Sequence, residues 1–163
     1  MSLKEGLQQL LKVQHVDLEL KFLEEVKSKY PEEISRRKSE ITRAESGLKE
    51  LTDRLEELER RRRHNERELD SAREQLKKLE ARFSEVTTNK EYDALQLEVE
   101  ACKSKMSECE GQILEIIESS EGIGEQVELE TQDVEELREE QQSRIDELQA
   151  KLDSLQGEVD GVA

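Results

Sequence analysis

Residues 34–86, ISRRKSEITRAESGLKELTDRLEELERRRRHNERELDSAREQLKKLEARFSEV, decide the fold. With residue 34 as the first position of a heptad, the core positions are Ile34, Arg37, Ile41, Ala44, Leu48, Leu51, Leu55, Leu58, Arg62, Asn65, Leu69, Ala72, Leu76, Leu79, Phe83 and Val86. The spacing alternates three and four without a slip, and only three of the sixteen are polar. A 3.5-residue repeat keeps one narrow stripe of a helix facing a partner, which makes this a coiled-coil seam.

A second seam follows: Tyr92, Leu95, Val99, Cys102, Met106, Cys109, Ile113, Ile116, Ser120, Ile123, Val127, Glu130, Val134 and Leu137. It continues through Gln141, Ile145, Leu148, Leu152, Leu155 and Val159, with a step of four at Gln141–Ile145 where three was due. Such a stutter locally unwinds a supercoil. Between the seams lies Thr87-Thr88-Asn89-Lys90-Glu91. Thr88 with Glu91 three residues on is a capping box, the signature of a helix start. A short break before a capped helix implies a reversal. The expected fold class is therefore all-α: an elongated antiparallel coiled-coil helical hairpin with a tip turn at 87–91. The register that sets each seam against the other pairs residues whose numbers sum to 178, for example Leu76 with Cys102 and Phe83 with Leu95.

Toward the N-terminus, Val13, Val16, Leu20, Leu23 and Tyr30 keep the heptad phase, but Leu7, Leu10, Leu11, Leu18, Phe22 and Val26 fall elsewhere on the wheel. An apolar surface that wide predicts a contact beyond the hairpin partner, and homo-oligomerisation through residues 3–29 is one reading of it. Tyr30-Pro31-Glu32-Glu33 reads as a fresh helix start, with proline in the first turn and acids at the positive end of the dipole. The sequence thus predicts one domain over 1–163: a helix over 3–29, a break or kink at Pro31, a helix over 31–86, the tip, and a helix over 91–158. The unbroken phase favours a kinked continuation over a reversal. Gly122 and Gly124 soften the second arm, since each glycine costs a helix about 1 kcal/mol relative to alanine.

Composition agrees with an extended helical chain. Charged residues make up 42%, aromatics 2%, and there is a single proline. No stretch approaches the ~20 apolar residues that span a bilayer. The start, Met1-Ser2-Leu3-Lys4-Glu5, lacks the basic-then-apolar pattern of a secretory signal. A cytoplasmic protein with no membrane partner is expected. Catalysis needs convergent groups in a pocket. His15 and His64 lie far apart and off the seams, and no phosphate loop is present. No enzyme and no catalytic residue are expected. Cys102 and Cys109 sit seven apart on an apolar stripe and read as small core residues rather than metal ligands. No metal site and no cofactor are expected in this chain.

The net charge of −16 is uneven. Residues 60–90 carry +4, while residues 115–163 carry −13. Arg60, Arg61, Arg62, Arg63, Arg67, Arg73, Lys77, Lys78 and Arg82 form a basic strip, of which Arg60, Arg61, Arg63, Arg67, Lys77 and Lys78 are the candidate contact residues. Two readings stand for it: a face complementing the acidic second arm, or a contact for nucleic acid or an acidic partner.

The stretch Val86-Thr87-Thr88-Asn89-Lys90-Glu91-Tyr92-Asp93-Ala94-Leu95-Gln96-Leu97-Glu98 resembles the T-N-K-E-Y-x-A-L-x-x-E signature of bacterial C4-type zinc-ribbon proteins with an N-terminal coiled-coil hairpin. Leu10 to Leu20 and Tyr30-Pro31-Glu32-Glu33-Ile34 are similar to that family's opening helix and its proline break. The family's C-terminal ribbon, with two Cys-x-x-Cys pairs, has no counterpart here, so zinc is expected only in that absent module. The chain stops at Gly161-Val162-Ala163, where the module would be approaching, which reads as a truncation or a loss. The resemblance implies an adaptor or chaperone-like role linked with secretion, flagellar regulation, transcription factors or nucleic acid. The tip residues Thr87, Thr88, Asn89, Lys90, Glu91 and Tyr92 are the expected protein-partner site. RNA binding by the basic strip and a plain spacer or oligomerisation rod are the alternatives.

Overall fold

The computed structural model describes residues 2–162. Helix α1 spans Leu3–Arg82, a single 3-10 turn covers Phe83–Glu85, and helix α2 spans Asn89–Val162. No strand occurs among the described residues. The two helices form the antiparallel hairpin that the seams predict. All fifteen buried residues among those described, from Leu23 to Leu148, lie at the seam positions read from the heptads. The hydrophobic effect thus acts along the one stripe that the repeat keeps inward.

The hairpin divides into two packing units. One joins Leu48–Glu130, which includes the tip. Its tip-side cluster holds Leu76, Leu79, Phe83 and Val86 from α1 against Leu95, Val99 and Cys102 from α2, the set that the 178 register brings together. Across the seam Lys105 pairs with Glu68 at 2.9 Å, Arg82 with Glu98 at 3.5 Å and Arg73 with Glu110 at 3.9 Å. The hydrogen bond between the two, and then the opposite charge of each partner, hold the Glu68 carboxyl below its usual pKa and the Lys105 ammonium above its own. Asn65 is buried and donates from Nδ2 to the Arg61 carbonyl one turn back at 3.0 Å. Arg62 Nε and Ser120 Oγ are buried without a hydrogen-bond partner. Ser120 is followed two and four residues later by Gly122 and Gly124, both inside α2, and a Cβ at either glycine would meet nothing within 4 Å. The double substitution Gly122→Ala/Gly124→Ala is therefore expected to raise the unfolding free energy by about 2 kcal/mol, read from the urea midpoint at constant slope.

The other unit joins Met1–Gly47 with Thr131–Ala163. Arg37 Nη1 donates to Gln141 Oε1 at 2.7 Å, again a pair summing to 178, and the same guanidinium binds Glu33 at 3.0 Å. This polar layer sits where the second seam stutters. Next to it Ile34, Ile145 and Leu148 form a buried cluster, with Tyr30 and Ile41 packed on it. Leu148 is completely buried. Further along, Lys27 Nζ donates to Gln156 Oε1, and Arg138 pairs with Glu45.

Three boundaries differ from the sequence reading. α1 runs through Pro31 as one helix, the continuation that the unbroken heptad phase favours, so the boundary drawn between residues 29 and 31 is absent. Proline has no N–H to offer the Lys27 carbonyl, but the packing of Tyr30 and Ile34 on Leu148 and Ile145 holds the chain helical across the gap. The first helix ends at Arg82 rather than 86, because Phe83–Glu85 tighten into a 3-10 turn. The second helix starts at Asn89 rather than 91 and continues past residue 158 to Val162.

Candidate functional site

The turn between the helices is built from short local bonds. The Val86 N–H reaches the Phe83 carbonyl at 3.4 Å and closes the 3-10 turn. Val86 itself is extended, with φ −73° and ψ 130°, and redirects the chain. Thr88 then caps α2: its Oγ1 accepts from the Glu91 N–H at 3.2 Å. The Glu91 carboxylate reaches back to the Thr87 N–H at 3.2 Å and the Thr87 hydroxyl at 3.3 Å. This is a capping box displaced by one residue, since the return bond goes to Thr87 rather than to the cap residue. The first helical Tyr92 N–H bonds to the Thr88 carbonyl at 3.0 Å.

These bonds sort the six residues expected to form the partner site. All six are exposed. Thr87, Thr88 and Glu91 have their polar groups committed to the cap and fix the turn. Asn89, Lys90 and Tyr92 carry no such commitment in their side-chain polar groups. The Tyr92 ring leans on Phe83, with centroids 5.4 Å apart and planes at 57°, yet half of the residue stays exposed. It both closes the last core layer and presents a phenol edge to solvent. A shallow groove of about 270 Å³ runs beside the turn, lined by Arg82, Val86, Leu95 and the carboxylates of Glu85, Glu91 and Glu98. The tip thus offers an aromatic anchor of the kind enriched at interface centres, with an exposed ammonium and an acidic groove beside it that suit a polar rim.

The basic strip divides by face. Arg73 and Arg82 flank the seam and pair with α2, as the complementing-arm reading expects. Arg60, Arg63, Arg67, Lys77 and Lys78 occupy the outer heptad positions, away from α2. Arg60 pairs only with Glu57 on its own helix, at 3.0 Å. Among the described residues Arg61, Arg63, Arg67, Lys77 and Lys78 form no ion pair and are exposed. The acidic second arm therefore does not neutralise these five.

No group of three or more His, Cys, Asp or Glu among the described residues could hold a metal ion. Cys109 is buried in the seam, and Cys102 Sγ contacts the Ala72 carbonyl at 3.0 Å. Two core thiols without further ligands do not fit zinc, which takes four. A groove of about 590 Å³ beside Pro31, Ile34, Thr42, Gln149 and Leu152 contains no carboxylate, histidine or cysteine. Among the described residues no helix is long and apolar enough to cross a membrane.

Comparison with known proteins follows this geometry. The family described as CT398-like coiled coil hairpin domain matches residues 13–163. The solved structure of CT398 from Chlamydia trachomatis is similar with a TM-score of 0.78 and 19% identity, over 98% of this chain and 70% of that one. At that identity the likeness speaks for the fold. No curated protein matches the sequence.

Proposed function

Because the chain belongs to the CT398-like coiled-coil hairpin domain family, we propose that it is a non-enzymatic interaction module, an adaptor or chaperone-like coiled coil that engages a protein partner through its tip. The observation that carries this reading is the division of labour in the turn. Thr87, Thr88 and Glu91 hold the backbone, and Asn89, Lys90 and the half-exposed Tyr92 are left for recognition. A turn needed only to reverse the chain and close its last layer would not require a half-exposed phenol and a free ammonium at its crest. The resemblance of residues 86–98 to bacterial zinc-ribbon proteins points to a cytoplasmic partner from secretion, flagellar or transcription control. Zinc plays no part in this reading, since the residues described do not fit it.

A second reading rests on the outer basic face. Arg63, Arg67, Lys77 and Lys78 without ion pairs would suit RNA phosphates. One experiment separates the two. A pull-down from lysate of the source organism compares the wild-type chain with Lys90→Ala/Tyr92→Ala, with and without RNase. A tip-directed adaptor retains a protein that RNase leaves in place and that the variant loses by roughly 30-fold or more in affinity, the scale of a tyrosine hot spot. Equal retention by both chains overturns the tip reading. A signal abolished by RNase moves the function to the basic face.

A further inference from the structure

The start of α1 carries two apolar stripes. At about 100° per residue, Val16, Leu20 and Leu23 lie on the side that meets α2, where Leu23 is buried. Leu3, Leu7, Leu10, Leu11, Leu18 and Phe22 fall within about 120° of one another on the opposite side of the same helix. These six are 55–85% exposed. Extending α2 along the hairpin seam would leave Leu7, Leu11, Leu18 and Phe22 uncovered, because they face away from it, while Leu3 and Leu10 flank it. Scattered exposed leucines are ordinary, but six large apolar side chains along about 29 Å of one helix face form a contiguous patch of the kind that marks an interface.

Charge selects the occupant. Leu3–Phe22 holds Lys4, Lys12 and Lys21 against Glu5, Asp17 and Glu19, so this segment is neutral in a chain of net −16. A second copy can approach here without the repulsion it meets elsewhere. Orientation follows from the same argument. From Thr131 onward α2 carries ten acidic and three basic residues, in the same packing unit as this stripe. A parallel pair would set two acidic arms side by side, whereas an antiparallel pair directs them apart. We infer that the chain forms an antiparallel homodimer in which the Leu3–Phe22 faces of two copies pack on each other. The contact is isologous, the same patch on both sides of a two-fold axis. It lies on residues distinct from the tip and stands or falls separately from the tip reading.

A contact made by one face of one helix from each copy is expected to be weaker than a standard complex, with a micromolar dissociation constant of about 1–50 μM. Sedimentation equilibrium on the 163-residue chain tests it. A mass rising from 19.0 kDa toward twice that value across this range is expected. Leu11→Glu/Leu18→Glu should stay monomeric at roughly tenfold higher concentration with an unchanged helical circular dichroism spectrum, because both side chains are exposed in the hairpin. A short amine cross-linker on mixed light and heavy isotope copies reads the orientation. Lys4 of one copy should join Lys21 of the other. A wild-type chain monomeric at about 200 μM, or a variant that still dimerises, would overturn the inference. Cross-links joining Lys4 to Lys4 between copies would overturn the antiparallel arrangement.

Discussion

Replacing Leu148 with alanine is expected to lower the unfolding free energy by about 3 kcal/mol, the largest loss from any single truncation in this hairpin. Leu148 is fully buried, and it packs with Ile34, Ile145 and Tyr30 around the stutter of the second seam. Truncation removes the transfer free energy of three carbons and leaves a cavity. Two rigid helix backbones, tied beside it by the Arg37–Gln141 bond, can collapse into that cavity only in part. Leu129→Ala is the matched control: that leucine is 64% exposed and its truncation should change stability by under ~0.5 kcal/mol. Urea unfolding followed by circular dichroism measures both. Equal effects from the two substitutions would mean that the second seam does not face α1 at this level.

The second large effect has the opposite sign. Pro31→Ala is expected to stabilise the hairpin by about 2 kcal/mol. Pro31 lies inside an 80-residue helix, where it leaves the Lys27 carbonyl without its donor and crowds the preceding turn. An interior proline is about 3 kcal/mol less favourable than alanine. The alanine chain recovers that amount, less about 1 kcal/mol for the greater freedom it gives the unfolded state. The gain depends on α1 being continuous here. Were the chain to restart a helix at Pro31, the residue would sit in a first turn, where proline is well tolerated, and alanine would be neutral or harmful. Thermal and urea unfolding of the single variant distinguish these cases by sign.

Pro31 also shows where local sequence rules stop. Tyr30-Pro31-Glu32-Glu33 satisfies the local signature of a helix start, and the packing of buried Ile34 and partly buried Tyr30 against Leu148 and Ile145 overrides it, in line with the unbroken heptad phase. That packing comes from residues more than a hundred positions away in sequence. The seams were legible because a heptad repeat is itself a statement about distance from a partner, so Ile116, Ile123 and Val134 could be placed in the core from spacing alone. The tip was legible as a cap at Thr88, but the strict motif sends Glu91 to the cap residue, and the extended Val86 brings Thr87 within its reach instead. The same backbone path divides the tip residues into fixed and free sets. Tyr92 is the instructive case. Its seam position predicts burial, yet it falls at the last layer, where Phe83 covers one side of the ring and nothing covers the other. The basic strip was visible in composition, whereas its division into seam-flanking Arg73 and Arg82 and the outer Arg63, Arg67, Lys77 and Lys78 needed the helix faces.

The central claim is that partners are held at the tip. Site-specific photo-cross-linking in cells of the source organism tests it most directly, with a benzophenone amino acid placed in turn at Lys90, Lys78 and Leu129. All three positions are exposed, so the probe leaves the seam intact. The account predicts a discrete protein adduct from position 90 and none of comparable yield from 78 or 129. Adducts confined to position 78, or no adduct from 90 while 129 captures protein, would contradict it.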